Sequence, residues 1–330
     1  MLHANFVALG KPTVEDLNTS IVNTGFRWFV EALSIASVNA FVLISGWFGI
    51  KASLRGTLKF IYQILFFLGG SLLIAFVLGK VESPIHAIAD VFQLTTYDWF
   101  IKSYFVLMII SPLLNQFRQL DAKVQKNVLL SFFAFEAIIG WVAGGSRFFV
   151  SGYGPLHLMG IYLLGQYLHY TLPEEQKRNW FERVLHKLLN LSSGWNMLLF
   201  LFMIVLITVQ GMIDLKYLNG FWSNTVLAYS SPFVVIASVF LFLSFERMSV
   251  RKSKVINWFG ASSFAVYLLH CDPIVRERLF IPIIQKINDV YSGVSVYALV
   301  FCFLVVLFLI ACIIDQIRLF TWNHLSKGIA

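Results

Sequence analysis

One acidic residue stands where an acid is expensive. Glu136 lies in "SFFAFEAIIGW", with at least four apolar or small neighbours on either side. An ionisable group inside an apolar run of that kind is a functional candidate by default, because hydrocarbon penalises it. A carboxylate there could relay a proton or contact a substrate. Gly140 and Gly144, one and two turns on, give a second explanation: close helix packing could bury Glu136 with no chemical role. Tyr104, His157, Gln166 and His270 are weaker candidates of the same kind, and a lone membrane histidine is more often a satisfied hydrogen-bonding residue. Lys51, Arg55 and Lys59, spaced four apart, predict one charged side of a helical extension that could pair with phosphates. Topogenic charge accounts for the same three residues equally well.

The elements that must position these groups follow from composition. Of 330 residues, 58% are hydrophobic and 13% charged, against roughly 45–50% and 25% in soluble domains. Apolar runs long enough to cross the bilayer recur along the chain. They predict an all-α, polytopic transmembrane bundle, a single domain over 1–330, with spans near 29–50, 60–79, 99–117, 128–144, 155–170, 195–213, 223–245, 256–270 and 294–317. Cys271, Cys302 and Cys312 have no metal spacing and read as small apolar packing residues. The net charge of +8 comes without a basic stripe interleaved with aromatics, so membrane topology explains it better than nucleic acid does.

Most of the Lys and Arg fall in "KASLRGTLK", "RQLDAKVQK", "EEQKRNWFERVLHK", "ERMSVRKSK" and the C-terminal tail. The positive-inside rule puts these segments and the C-terminus in the cytoplasm. Residues 5–28, the 80–98 loop, "GGSRFFVSGYG", "GMIDLKYLNGF" and 271–293 then lie outside. With the 29–50 span running inward, "MLHA" is either the outer end of a first helix whose body precedes Met1, the remnant of a tenth span, or a start that simply lies outside the membrane with an exposed histidine.

Four segments resemble the acyltransferase 3 family, integral membrane enzymes that acylate sugars. They are "SIASVNAFVLISGWFGIKASLR" (34–55), "WFIKSYFVLMIISPLLN" (99–115), "GIYLLGQYL" (160–168) and "WFGASSFAVYLLH" (258–270). None is specific alone, but they occur in the family's order over nearly the whole chain. The resemblance implies an essential histidine near the outer end of the first helix, and His3 in "LHA" occupies that position. The family's Arg about ten residues earlier has no counterpart in this sequence. Imidazole suits the task, since a hydroxyl attacking a thioester needs a base that works near neutral pH. A transient acyl-histidine is an open alternative. Glu31 and Asn39 are the nearest candidates to hold the ring, although eight residues set them roughly 80° apart on a helix.

The resemblance also implies a cytoplasmic acyl-CoA, acetyl-CoA first, as co-substrate with no permanently bound cofactor. Its phosphates would meet Lys51, Arg55 and Lys59, and its pantetheine arm would pass Ser45 and Gly46. Tyr104, Glu136, Arg147 and His157 are the expected acceptor contacts, with Tyr153 and Trp222 on the outer loops, where an aromatic belt predicts such rings anyway. The expected partners are the bilayer and a glycan or lipid-linked sugar, in a bacterial inner membrane. No P-loop, HExxH or GxSxG motif occurs, which leaves no sign of an ATPase, zinc protease or serine hydrolase. A secondary transporter and a non-catalytic scaffold are the competing classes; no internal repeat supports the first.

Overall fold

A computed structural model describes residues 4–79, 99–142, 150–171, 180–249 and 253–328. Among them every regular element is a helix, with no strand. Among the described residues, five helices are long and apolar enough to cross a membrane: Ile21–Phe48, Leu54–Val77, Trp99–Gln119, Ser193–Leu218 and Val294–Leu325. Pro232–Glu246 is apolar but shorter. The chain gathers into two compact units, one formed by residues 12–51 and 100–250, the other by 1–11, 52–99 and 251–330.

The first unit is built around Ile21–Phe48. Ser20 caps it by accepting from the Asn23 N–H, which starts the helix eight residues before the expected span. Gly49, at φ 71°, ends it in a backbone conformation that side chains disfavour. Its buried face runs through Trp28, Ala32, Ile35, Ala36, Asn39, Leu43 and Gly46, a helical stripe rich in small residues. Small residues let neighbouring helices approach closely. A β-carbon at Gly165 would meet the carbonyl of Leu43, and one at Gly211 would meet the buried ring of Trp28. Arg27 is buried at the helix start and reaches Asp16 at 3.3 Å.

Two expected spans change character within this unit. The 128–144 run is an α-helix only over Ala122–Phe135, then widens into a π-helix from Glu136 to Val142. The 223–245 run is broken: Ser223–Val226 and Pro232–Glu246 are separate helices, because Pro232 starts a new one at its first turn.

The second unit packs Leu54–Val77, Ser263–Cys271 and Val294–Leu325 together. The expected 256–270 span is two helices, Lys254–Ala261 and Ser263–Cys271, separated at Ser262. The stretch after it is helical too, through Ile281–Val290. Phe280, Ile284, Val296, Val300, Leu304 and Leu307 form an apolar core that Ala8 of the short Ala4–Leu9 helix joins. Arg318 donates through Nε and Nη2 to Asp315 Oδ1, at 2.9 and 2.7 Å, and both side chains are buried.

Candidate functional site

Three of the polar residues singled out along the sequence meet in the interior of the first unit. Asn39 comes from the middle of Ile21–Phe48. His157 comes from the first turn of Pro155–Gln166, a helix that Pro155 initiates. Glu136 opens the π-helical turn that follows Ala122–Phe135; a π turn inserts a residue and re-aims the side chains around it, and such turns are frequent at functional sites.

All three side chains are fully buried, at 0% exposure. His157 Nδ1 lies 2.8 Å from Glu136 Oε1, and His157 Nε2 lies 2.9 Å from Asn39 Oδ1. Asn39 Nδ2 donates to the carbonyl oxygen of Tyr229 at 3.0 Å. That carbonyl sits in the break between Ser223–Val226 and Pro232–Glu246, where helical bonding does not claim it. The result is a continuous chain, Glu136 to His157 to Asn39 to Tyr229, in surroundings that otherwise repel charge. Among the described residues, no group of three or more His, Cys, Asp or Glu is placed to hold a metal ion.

A family model for the acyltransferase 3 domain matches residues 4–314. The chain belongs to the acyltransferase 3 family. Comparison with curated proteins and with solved structures gives no match. Family and apolar helices together make the chain an integral membrane protein of an acyltransferase type.

The remaining expected residues of this acyltransferase 3 chain are distributed as follows. His3 and Arg147 lie outside the described residues. Glu31 is buried on the same helix as Asn39, two turns earlier, and its carbonyl accepts from Ser34 Oγ at 2.8 Å. Ser45 and Tyr104, assigned above to different substrates, are in contact: their hydroxyls are 3.1 Å apart. Ser45 Oγ also donates to the Phe41 carbonyl, and the Tyr104 ring packs on Phe41 and Phe100.

The basic triplet needs a correction. Gly49 ends one helix, and Ser53 caps the next by accepting from Gly56 N–H, so the chain between them is not helical. Lys51 therefore does not share a helix side with Arg55 and Lys59; those two alone are one turn apart, at the exposed start of Leu54–Val77.

A second polar seam in the first unit joins two of the segments that carry the resemblance, 99–115 and 160–168. Asn115 Oδ1 accepts from the Tyr162 hydroxyl and from Gln166 Nε2, both at 2.6 Å, while Asn115 Nδ2 donates to the Ile50 carbonyl at 3.0 Å. The Ile50 N–H returns a bond to the Tyr162 oxygen at 2.8 Å. Close by in sequence, the rings of Trp47 and His169 stack with centroids 4.2 Å apart and planes 4° apart, and the guanidinium of Arg118 lies over Tyr170. Gln166 was the only member of this seam visible as a membrane polar residue. Asn115, at the end of an apolar helix that contains Pro112, could have been found as a helix-terminus acceptor.

Proposed function

We propose that this protein transfers an acyl group, acetyl in the simplest case, from a cytoplasmic acyl-CoA to a hydroxyl of a lipid-linked or surface glycan. The reading is carried by the buried chain of Glu136, His157 and Asn39 in a member of an acyltransferase family. An ionised group buried among apolar helices costs several kcal/mol to desolvate, as an order of magnitude, which favours a chemical role over packing alone.

Both nitrogens of His157 are engaged, so in this arrangement its ring offers no lone pair to a substrate. The base that takes the hydroxyl proton is then a different group, and His3 fills that role in our scheme. The hydroxyl oxygen attacks the thioester carbonyl, the C–S bond breaks, and the thiolate takes up a proton as it leaves. The family resemblance assigns Arg55 and Lys59, and separately Lys51, to the CoA phosphates; within the first unit, Ser45 and Tyr104 are assigned to the thioester arm, and Glu136, His157 and Arg147 to the acceptor. In this scheme the nine apolar stretches cross a bacterial inner membrane and the C-terminus is cytoplasmic.

The test is mass spectrometry of surface polysaccharide from cells expressing the chain or its His3→Ala variant. Loss of one acyl mass at equal protein level is expected. Acylation that persists unchanged removes His3 from the mechanism.

A further inference from the structure

The hydrogen bonds around His157 fix how many protons they contain. The Tyr229 carbonyl can only accept, so the Asn39 amide must present Nδ2 to it and Oδ1 to the ring. His157 Nε2 therefore carries a hydrogen. At the other side of the ring, Nδ1 faces Glu136 Oε1 at 2.8 Å. A bare lone pair and a bare carboxylate oxygen repel at that distance, so one more proton lies between them. It belongs either to Oε1, leaving a neutral acid beside a neutral imidazole, or to Nδ1, leaving carboxylate beside imidazolium. The group is uncharged overall in both states, which is what its apolar surroundings favour.

We propose that Glu136 and His157 are a proton-transfer pair in the bundle interior, holding one shared proton, with Asn39 as the positioning residue that orients the ring and closes its far end. In the transfer step the Oε1–H bond breaks, its electron pair staying on oxygen, while the Nδ1 lone pair forms the new N–H bond; the reverse step restores the acid. The proton goes no further through the ring. Nε2–H ends on an amide oxygen, which accepts a hydrogen bond but does not accept a proton near neutral pH, and the amide in turn ends on a backbone carbonyl. The pair is thus a store with one open side, at Glu136, rather than a wire across the membrane. Among the described residues, Glu136 Oε2 is buried and has no hydrogen-bond partner, so it has a lone pair left to accept from a further hydroxyl donor.

The decisive measurement is vibrational and nitrogen-15 spectroscopy on the purified full chain in lipid bilayers near neutral pH. The wild type is expected to show a protonated-carboxyl band that Glu136→Gln abolishes, or the doubly protonated imidazole signature of His157. Ionised Glu136 together with a singly protonated His157 overturns the proposal. Asn39→Ala is expected to release the ring into a mixture of tautomers, and an unchanged nitrogen-15 pattern in a folded Asn39→Ala refutes the positioning role. If that variant fails to fold, Glu136→Gln carries the test, because its amide N–H can still donate to Nδ1 and keep the geometry. A final arm rests on the acyl-transfer reading, whereas the spectra do not. With thermal stability unchanged, Glu136→Gln should lower acyl transfer more than tenfold, and full transfer would reduce the pair to a structural knot.

Discussion

Gly46 and Tyr162 touch backbone to backbone: a β-carbon on Gly46 would run into the carbonyl oxygen of Tyr162. The Ile21–Phe48 and Pro155–Gln166 helices, which carry Asn39 and His157, are held together by this contact and by Gly165 against Leu43. Gly46→Ala is expected to cost about 1–3 kcal/mol through overpacking, read as an earlier unfolding midpoint in detergent. Gly69, mid-helix with open space around it, is the control, and Gly69→Ala should leave stability unchanged or raise it by up to about 1 kcal/mol. Equal midpoints for the two variants would show that the helices do not meet as described.

The buried Asp315–Arg318 pair makes a sharper double-mutant case. Replacing Arg318 by Leu alone strands a carboxylate beside Gln63, whose amide is 3.4 Å from Asp315 Oδ1, and should cost about 3–5 kcal/mol. Asp315→Leu with Arg318→Leu should recover most of that loss. A double variant as unstable as the single one would mean that the pair adds more than its own desolvation.

Asp272 supplies a pH dependence. It caps the turn that follows Ser263–Cys271, accepting from the N–H groups of Ile274 and Val275, and Ser71 Oγ donates to its other oxygen. Burial outweighs these bonds and holds the carboxyl above its ordinary value of 3.8. The folded state therefore keeps the proton to higher pH than the unfolded state does. This contribution is fully present below the unfolded value and is lost as pH rises through the folded one. Wild type should lose stability relative to Asp272→Asn as pH climbs from about 3.8 upward. A constant difference between the two across that window would refute the assignment.

If Arg55 and Lys59 meet CoA phosphates, Arg55→Gln and Lys59→Gln should each raise KM for acyl-CoA roughly fivefold, equivalent to about 1 kcal/mol for an exposed ion pair, with kcat unchanged. The effect should shrink in high salt. A KM indifferent to both substitutions leaves the two charges a purely topological role.

The helical membrane character and the individual polar candidates were legible in the chain because they depend on local composition. Glu136 and His157 stood out as polar groups in apolar runs, and Asn39 as a residue that could hold a histidine ring, namely that of His3. Their meeting did not, because it joins residues 118 and 21 positions apart, and nothing in a single sequence states which helices are neighbours. The error over Lys51 was avoidable: Gly49 and Ser53, a helix stop and a helix start, bracket it in "GIKAS". The break before Pro232 was equally readable, yet its use was not, since the sequence does not say that the freed carbonyl of Tyr229 would anchor Asn39.

The short gap between Glu136 and His157 also settles how the pair responds to membrane voltage. A unit charge carried across the whole bilayer exchanges about 2.3 kcal/mol per 100 mV. The 2.8 Å between Oε1 and Nδ1 is about a tenth of a hydrocarbon layer roughly 30 Å thick. Even perfectly aligned with the field, the shared proton would gain at most about 0.2 kcal/mol per 100 mV by moving, which is below thermal energy. An energised membrane and a discharged one therefore find the proton in the same place.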